Sequence, residues 1–432
     1  MLKLFFALFT LQFLSAAELT TGNGYKATLR LTNIRGARSL LFDDQGDLII
    51  LARGLNGIIS AWSTGVDSMS QAVLINNATL GLNHGLELHN GYIYASSDEL
   101  VYRWRYVPRQ NLGAAQVVIS GMGKGGGGGA PLGHLTRTLV FSNEDYLYVS
   151  VGSDLNVDRA PDSRSLVRRV RISNNTIIPS GGYTFNNLTL WASGLRNGVA
   201  MAFDASNTLW EADNGPDQLQ RADLGVDIFN DNPAEELNRL DTQGAFYGYP
   251  YCWSAWNVEK AMQGTQFSWP SEGIDRVVDD AWCLNTTNNT PPIGFIEPHG
   301  SPIGAAFFSA QDGCGSKSGS LPCSSVGDLF VALHGSWNSN IPKGFKVIRM
   351  KMMNNMPVET TEVFSAKDST SVCYGDVALK DCFRPAGIAF DRNGTLWVSS
   401  DSTGDIVQIS GGIGQKIWSY RYALLLCFFV LL

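Results

Sequence analysis

The sequence predicts an all-β chain folded as a six-bladed β-propeller with disulfide-bearing loop insertions. Three observations carry the prediction. First, one phrase recurs: an apolar residue, Phe-Asp, two variable residues, Gly or Asn, then an apolar run. It is clearest at residues 201–210 and 388–397, with a third copy at 42–50. Second, looser copies at 86–94 and 139–148, and a copy split between 305–308 and 327–331, bring the count to six. A strand, a turn rich in Asp, Asn or Gly, and a second strand, repeated roughly every 50 residues, is the rhythm of a propeller blade. Third, 46 glycines and 11% aromatic residues in 432 suit a turn-rich β chain.

The ends read as processing signals. Lys3, the apolar run 4–14 and the small Ser15-Ala16-Ala17 make residues 1–17 a secretory signal. That run is too short to span a bilayer, which takes about 20 residues. At the other end stand the small Ser410, Gly411 and Gly412, a mixed spacer 413–422 and a wholly apolar 423–432. Small residues, spacer and apolar tail form the pattern of a signal exchanged for a glycosylphosphatidylinositol anchor. The expected organisation is a signal at 1–17, the propeller at 18–410, and spacer and anchor signal at 411–432. The protein is therefore expected outside the cell, touching a membrane only through its lipid.

Seven cysteines are present, and Cys427 falls in the tail. The other six admit 15 connectivities. Local pairing is the economical choice: Cys252–Cys283, Cys314–Cys323 and Cys373–Cys382, in an oxidising compartment. Sequons at Asn77, Asn174, Asn187, Asn285, Asn288 and Asn393 fit a secreted glycoprotein. A net charge of -7 argues against nucleic acid as a partner.

Taken in order, 25–34 alternates as a strand expected to close the ring by completing the last blade. Blades are expected at 40–62, 84–106, 134–172, 191–238, 300–350 and 362–409. A glycine run at 121–129 lacks the Gly-Lys-Ser/Thr ending of a phosphate loop and reads as surface loop. Residues 247–292 form an aromatic, cysteine-bearing excursion of the kind that decorates one face.

Candidate chemistry gathers beside the repeats. Of five histidines, His84, His134, His299 and His334 lie where inner strands begin or end, so one channel mouth is expected to collect them; His89 reads as a turn residue. In Gly133-His134, an imidazole at a mouth suits general-base work. Arg196-Asn197, set between glycines, offers a cation and an amide to an anion or carbonyl. Asp213-Asn214-Gly215-Pro216-Asp217 offers carboxylates, amides and free carbonyls around a turn, a credible Ca²⁺ site.

Read together, 81–86, 133–138, 193–197, 213–217, 334–338 and 384–388 resemble the sorbosone and soluble glucose dehydrogenases. These are six-bladed propellers that bind pyrroloquinoline quinone; the fungal pyranose dehydrogenase domains look closest. The resemblance covers nearly all of 30–409. It implies that His134 takes the proton from a sugar hydroxyl as hydride passes to the quinone, and that Arg196 stabilises the quinone oxygen, with Asn197 beside it. It implies that the carbonyls of Gly215 and Pro216 hold Ca²⁺. The three quinone carboxylates call for more cations, and Arg53 and Arg384 are the candidates. Trp337 is expected to stack on the ring and His334 to touch it. The implied activity is oxidation of a pyranose or ketoaldose at its anomeric or aldehyde carbon, with electrons passed to an unidentified acceptor such as a cytochrome or copper enzyme. The alternatives are a non-catalytic propeller that binds carbohydrate or protein, and a Ca²⁺-dependent lactonase. The fungal relatives often carry a haem domain and a carbohydrate-binding module, and no segment of these 432 residues reads as either.

Overall fold

The computed structural model describes residues 19–412, apart from 54–56, 66–67, 124–132, 159–162, 271–275 and 316. The expected signal, the tail from 413 onward with Cys427, and most of the glycine run lie outside them.

The recurring phrase is a hairpin with a built-in clamp. In the copy at 388–397, Asp391 Oδ1 accepts from the backbone N–H of Asn393 (3.0 Å) and Thr395 (2.9 Å). Its Oδ2 accepts from Trp397 Nε1 (3.0 Å) in the following strand. Asp204 does the same for Ser206, Thr208 and Trp210. Asp43 holds Gln45 and Asp47 and reaches Tyr106 Oη of the next blade at 2.6 Å. An Asx turn needs a left-handed residue to finish it, supplied by Gly394 (φ 72°) or Asn207 (φ 60°). The Phe and the apolar run then pack between neighbouring blades, as where Phe42 meets Trp397 at 5.8 Å.

Six hairpins, three of them carrying this Asp clamp, start six blades. Their innermost strands are Ala37–Phe42, Leu86–His89, Leu139–Phe141, Gly198–Phe203, Pro302–Phe307 and Pro385–Phe390. The sixth blade is completed by Tyr25–Leu31, which pairs with Ile406–Gly411 and closes the ring as expected. Gly411, expected to open the spacer, is the end of that strand and faces Tyr25. Leu19–Thr21 adds an outer strand to blade five.

Two expected boundaries are corrected. Trp191 lies in Thr189–Ser193, the fourth strand of blade three, so blade four starts at Gly198. Glu362 lies in Met356–Ala366, the fourth strand of blade five, so blade six starts at Pro385. Both outer strands were assigned to the wrong blade because they carry no copy of the phrase.

The three local disulfides form as expected. The excursion carries its own ribbon, Cys252–Ser254 with Gln266–Ser268, and a small core around Trp253 and Trp269. Among the described residues no helix is long and apolar enough to cross a membrane.

Candidate active site

Hairpin register decides which residues share a mouth. Each inner strand begins beside the end of its second strand: Gly198 pairs with Asp213, Pro302 with Leu333, Pro385 with Ser400. Segments just before one and just after the other are therefore neighbours at the same end of the channel. There they line a cavity of about 360 Å³. Its walls bring together His134, Arg196, Asn197, Gly215, Pro216 and Trp337 of the expected site residues. Trp337 is 53% exposed, so it is a rim residue and not core.

His134 is oriented by its neighbour. Its Nδ1 lies 3.0 Å from the Ser153 carbonyl oxygen, which only accepts, so Nδ1 carries the proton. Nε2 is left with a free lone pair. Burial, reinforced by the Arg196 charge, pushes the His134 pKa down to about 3, so the ring is neutral across the ordinary pH range. Ser153 also donates its N–H to the Arg196 carbonyl at 2.7 Å, tying base to cation. Gly152 makes room for both: a Cβ there would lie 2.8 Å from His134 Cβ and still closer to Asn197 Oδ1.

The Arg196-Asn197 turn hangs on Asp213. Asp213 Oδ2 accepts from Arg196 N (2.7 Å) and Oδ1 from Asn197 N (2.6 Å). The guanidinium donates to the carbonyls of Asn156 (3.1 Å) and Asn214 (3.2 Å) and to Asn156 Oδ1 (3.0 Å). Asp217 stands between Arg196 (3.7 Å) and His299 (3.4 Å). Against the cost of its burial, His299 and Arg196 hold its carboxyl below the usual range. His299 contacts Asp217 through Nδ1 and the Phe229 carbonyl through Nε2 (2.8 Å); these outweigh burial and raise its pKa. The Gly215 N–H is held by Glu235 Oε2 at 2.5 Å. No described residue donates to the carbonyl oxygens of Gly215 or Pro216, which leaves them open to a cation.

Arg53, His334 and Arg384 are not in the cavity wall. They form a second cluster beside it, centred on Asp401. Asp401 contacts His334 (2.7 Å), Arg38 (2.8 Å) and Arg53 (3.1 Å). Against burial, these groups hold the Asp401 carboxyl well below its ordinary value. Arg384 is buried and donates to the carbonyls of His334 (3.0 Å) and Gly335 (2.6 Å), so it braces the turn that presents Trp337. Arg53, with its side chain 46% exposed, is the member of this cluster open to a ligand. His84 accepts from Arg38 Nε at 3.1 Å, and burial with the Arg38 charge keeps it neutral. His89 sits at the opposite hairpin end, stacked on Phe141 and paired with Asp145, the turn role expected of it.

The described residues hold no group of three or more His, Cys, Asp or Glu side chains suited to a metal. Sequence reasoning passed over Asn156, Glu235 and Asp401. The signal for Asp401 was available: like Asp213, it closes the second strand of a blade.

Residues 19–412 match the TrAA12-like family. The chain is 26% identical over 430 residues to the pyrroloquinoline quinone-dependent pyranose dehydrogenase of Coprinopsis cinerea. That match covers 92% of this chain but 56% of the relative, so the chain spans about half its length. It is 29% identical over 417 residues to the pyrroloquinoline quinone-dependent sugar dehydrogenase of Hypocrea jecorina, covering 89% of this chain and 87% of that one. Among solved structures, the calcium structure of Trichoderma reesei Carbohydrate-Active Enzymes Family AA12 superposes with a TM-score of 0.77 at 27% identity. It covers 94% of this chain and 100% of that one.

Proposed function

This chain belongs to the TrAA12-like family, and from that premise we propose that it is a pyrroloquinoline quinone-dependent dehydrogenase of sugars. One observation carries the reading: a neutral histidine with a free Nε2 faces the same cavity as a buried arginine whose hydrogen-bond acceptors are all neutral, its one ion pair being the 3.7 Å contact with Asp217.

The residues fit the quinone. The cavity volume lies in the range of small-molecule sites, 300–1,000 Å³ as an order of magnitude. Arg196 presents a cation to an oxygen that gains charge, and Trp337 presents an aromatic face at the rim. Arg53 is the nearby cation for a carboxylate. The open carbonyls of Gly215 and Pro216 are hard oxygen donors of the kind Ca²⁺ takes.

The quinone, when bound, supplies the two-electron acceptor. His134 Nε2 takes the hydroxyl proton of the sugar, while Nδ1–H remains on the Ser153 carbonyl and fixes the ring. Arg196 and its neutral partners hold positive charge where negative charge develops. The sugar is oxidised at its anomeric or aldehyde carbon, and the electrons pass to an external acceptor. The disulfides, the amino-terminal signal and the carboxy-terminal tail support secretion and a glycosylphosphatidylinositol anchor at the cell surface.

The test is reconstitution. Protein loaded with the quinone and Ca²⁺ is offered a broad sugar panel with a dye acceptor. Sugar-dependent dye reduction is expected; no reduction with any sugar, together with no quinone bound, ends the proposal.

A further inference from the structure

Asn156 grips one edge of the Arg196 guanidinium by itself. Nε–H goes to its backbone carbonyl and an N–H of the adjoining terminal nitrogen to its side-chain oxygen. The usual partner for that fork is a carboxylate, whose two oxygens match it and cancel its charge. Here both acceptors are neutral. The third partner, the Asn214 carbonyl, is neutral too. The nearest carboxylate, Asp217, stands 3.7 Å off and is shared with His299. Three of five guanidinium N–H groups are thus hydrogen-bonded to neutral acceptors, and the remaining charge is offset only by the longer contact with Asp217.

Asn156 is itself held on all sides. Its Oδ1 accepts from Asp217 N (2.7 Å), its Nδ2 donates to the Asp217 carbonyl (2.6 Å), and its carbonyl accepts from Tyr249 Oη (3.2 Å). Tyr249 Oη also accepts from Asp158 N at 2.7 Å, and Arg164 clamps the Asp158 carboxylate. Blade three's loop and the excursion therefore fix the orientation of a side chain that blade four supplies.

We propose that Asn156 is the positioning residue of Arg196, holding its guanidinium through neutral acceptors so that its charge, offset only by the longer ion pair with Asp217, is aimed at an anionic ligand in the cavity. With the quinone reading, on which it rests, that ligand is the reducible carbonyl edge of a polycarboxylated ortho-quinone. An asparagine does this where an aspartate would not: the shape is the same, the charge is not.

Two variants separate shape from charge. Phenylglyoxal labelling of arginines, read peptide by peptide with Arg384 as internal control, reports how firmly Arg196 is held and needs no quinone. Titration with pyrroloquinoline quinone in the presence of Ca²⁺ reports the charge. Asn156→Ala loses the side-chain half of the fork: Arg196 is expected to label severalfold faster than in the wild type, Arg384 unchanged, and the quinone Kd to rise. Asn156→Asp keeps the acceptors of the fork but loses the Nδ2 donor to the Asp217 carbonyl: labelling stays slower than in Asn156→Ala, yet the quinone Kd rises at least tenfold. Wild-type labelling of Arg196 in Asn156→Ala, or wild-type quinone affinity in Asn156→Asp, overturns the proposal. If the wild type binds no quinone, the quinone reading fails instead, and the labelling comparison still decides whether Asn156 positions Arg196.

Discussion

His134 is a base because of where its other nitrogen points. The Ser153 carbonyl takes the Nδ1 proton, and burial beside Arg196 keeps Nε2 bare. A base works only when unprotonated, so activity is present above its pKa and lost as pH falls through it. The acid limb of kcat/KM in the reconstituted enzyme should therefore lie near pH 3 to 4, well below the ordinary histidine value. A limb near 6.5 would contradict the burial argument. His134→Gln should lower kcat by about 10² to 10⁴ with quinone affinity little changed. Gly152 tests the same residue from behind. A methyl there collides with His134 Cβ and Asn197 Oδ1. Gly152→Ala should cost about 1–3 kcal/mol of stability and most of the turnover, read by thermal unfolding and dye reduction. Neither constraint was legible in the sequence. Gly133-His134 pointed to an imidazole at a mouth, but the carbonyl that sets its tautomer lies 19 residues away.

At the scale of elements, the recurring hairpin was legible because its chemistry is local. The Asp accepts within its own turn and from the aromatic residue six positions on, so spacing alone exposes it. Asp391→Ala orphans the Asn393 and Thr395 N–H groups and leaves Trp397 Nε1 only its 3.2 Å contact with Thr395 Oγ1, inside the seam between blades six and one. About 3 kcal/mol of destabilisation is expected, measured by denaturant unfolding. A change within 0.5 kcal/mol would mean that the phrase is only a sequence habit. The outer strands were less legible because they hold no such clamp; hence the misplacement of Trp191 and Glu362. The disulfide pairs were legible from proximity in sequence. What the excursion does was not: Tyr249 reaches the Asn156 carbonyl across 93 residues, a contact that only the closed ring creates.

The whole molecule sets a balance of buried charges with a consequence for pH. Burial raises Glu87 and Glu236 to about 8 and Glu211 well above its ordinary value, and lowers His134 and His334 to about 3 and His84 well below its ordinary value. The raised carboxylic acids favour folding below 4.5, their ordinary value, and that stability drains away as pH rises through the folded values. The buried neutral histidines favour folding above 6.5, their ordinary value, and lose that contribution as pH falls below it. Burial likewise raises Glu235 to about 7 and Asp213 to about 6, so between about 4.5 and 6.5 the carboxylic acids outnumber the three histidines that oppose them. Thermal stability should therefore fall as pH climbs from about 6.5 towards 8, where the histidine contribution is already complete; a rise over that interval would contradict the account. Ring closure also explains how six separate phrases became one site. The sequence showed that unrepeated residues flank the repeats, and the register of each hairpin places those flanks at one mouth. It did not show that they divide into a cavity around Arg196 and a brace around Asp401, because that depends on which blades are neighbours. The central claim is that the cavity holds a quinone against Arg196. Equilibrium titration of the wild type and Arg196→Ala with pyrroloquinoline quinone, with and without Ca²⁺, tests it most directly. One saturable site, strengthened by Ca²⁺ and weakened at least tenfold by the substitution, is the predicted result; equal affinity for both proteins, or no binding to either, would contradict it.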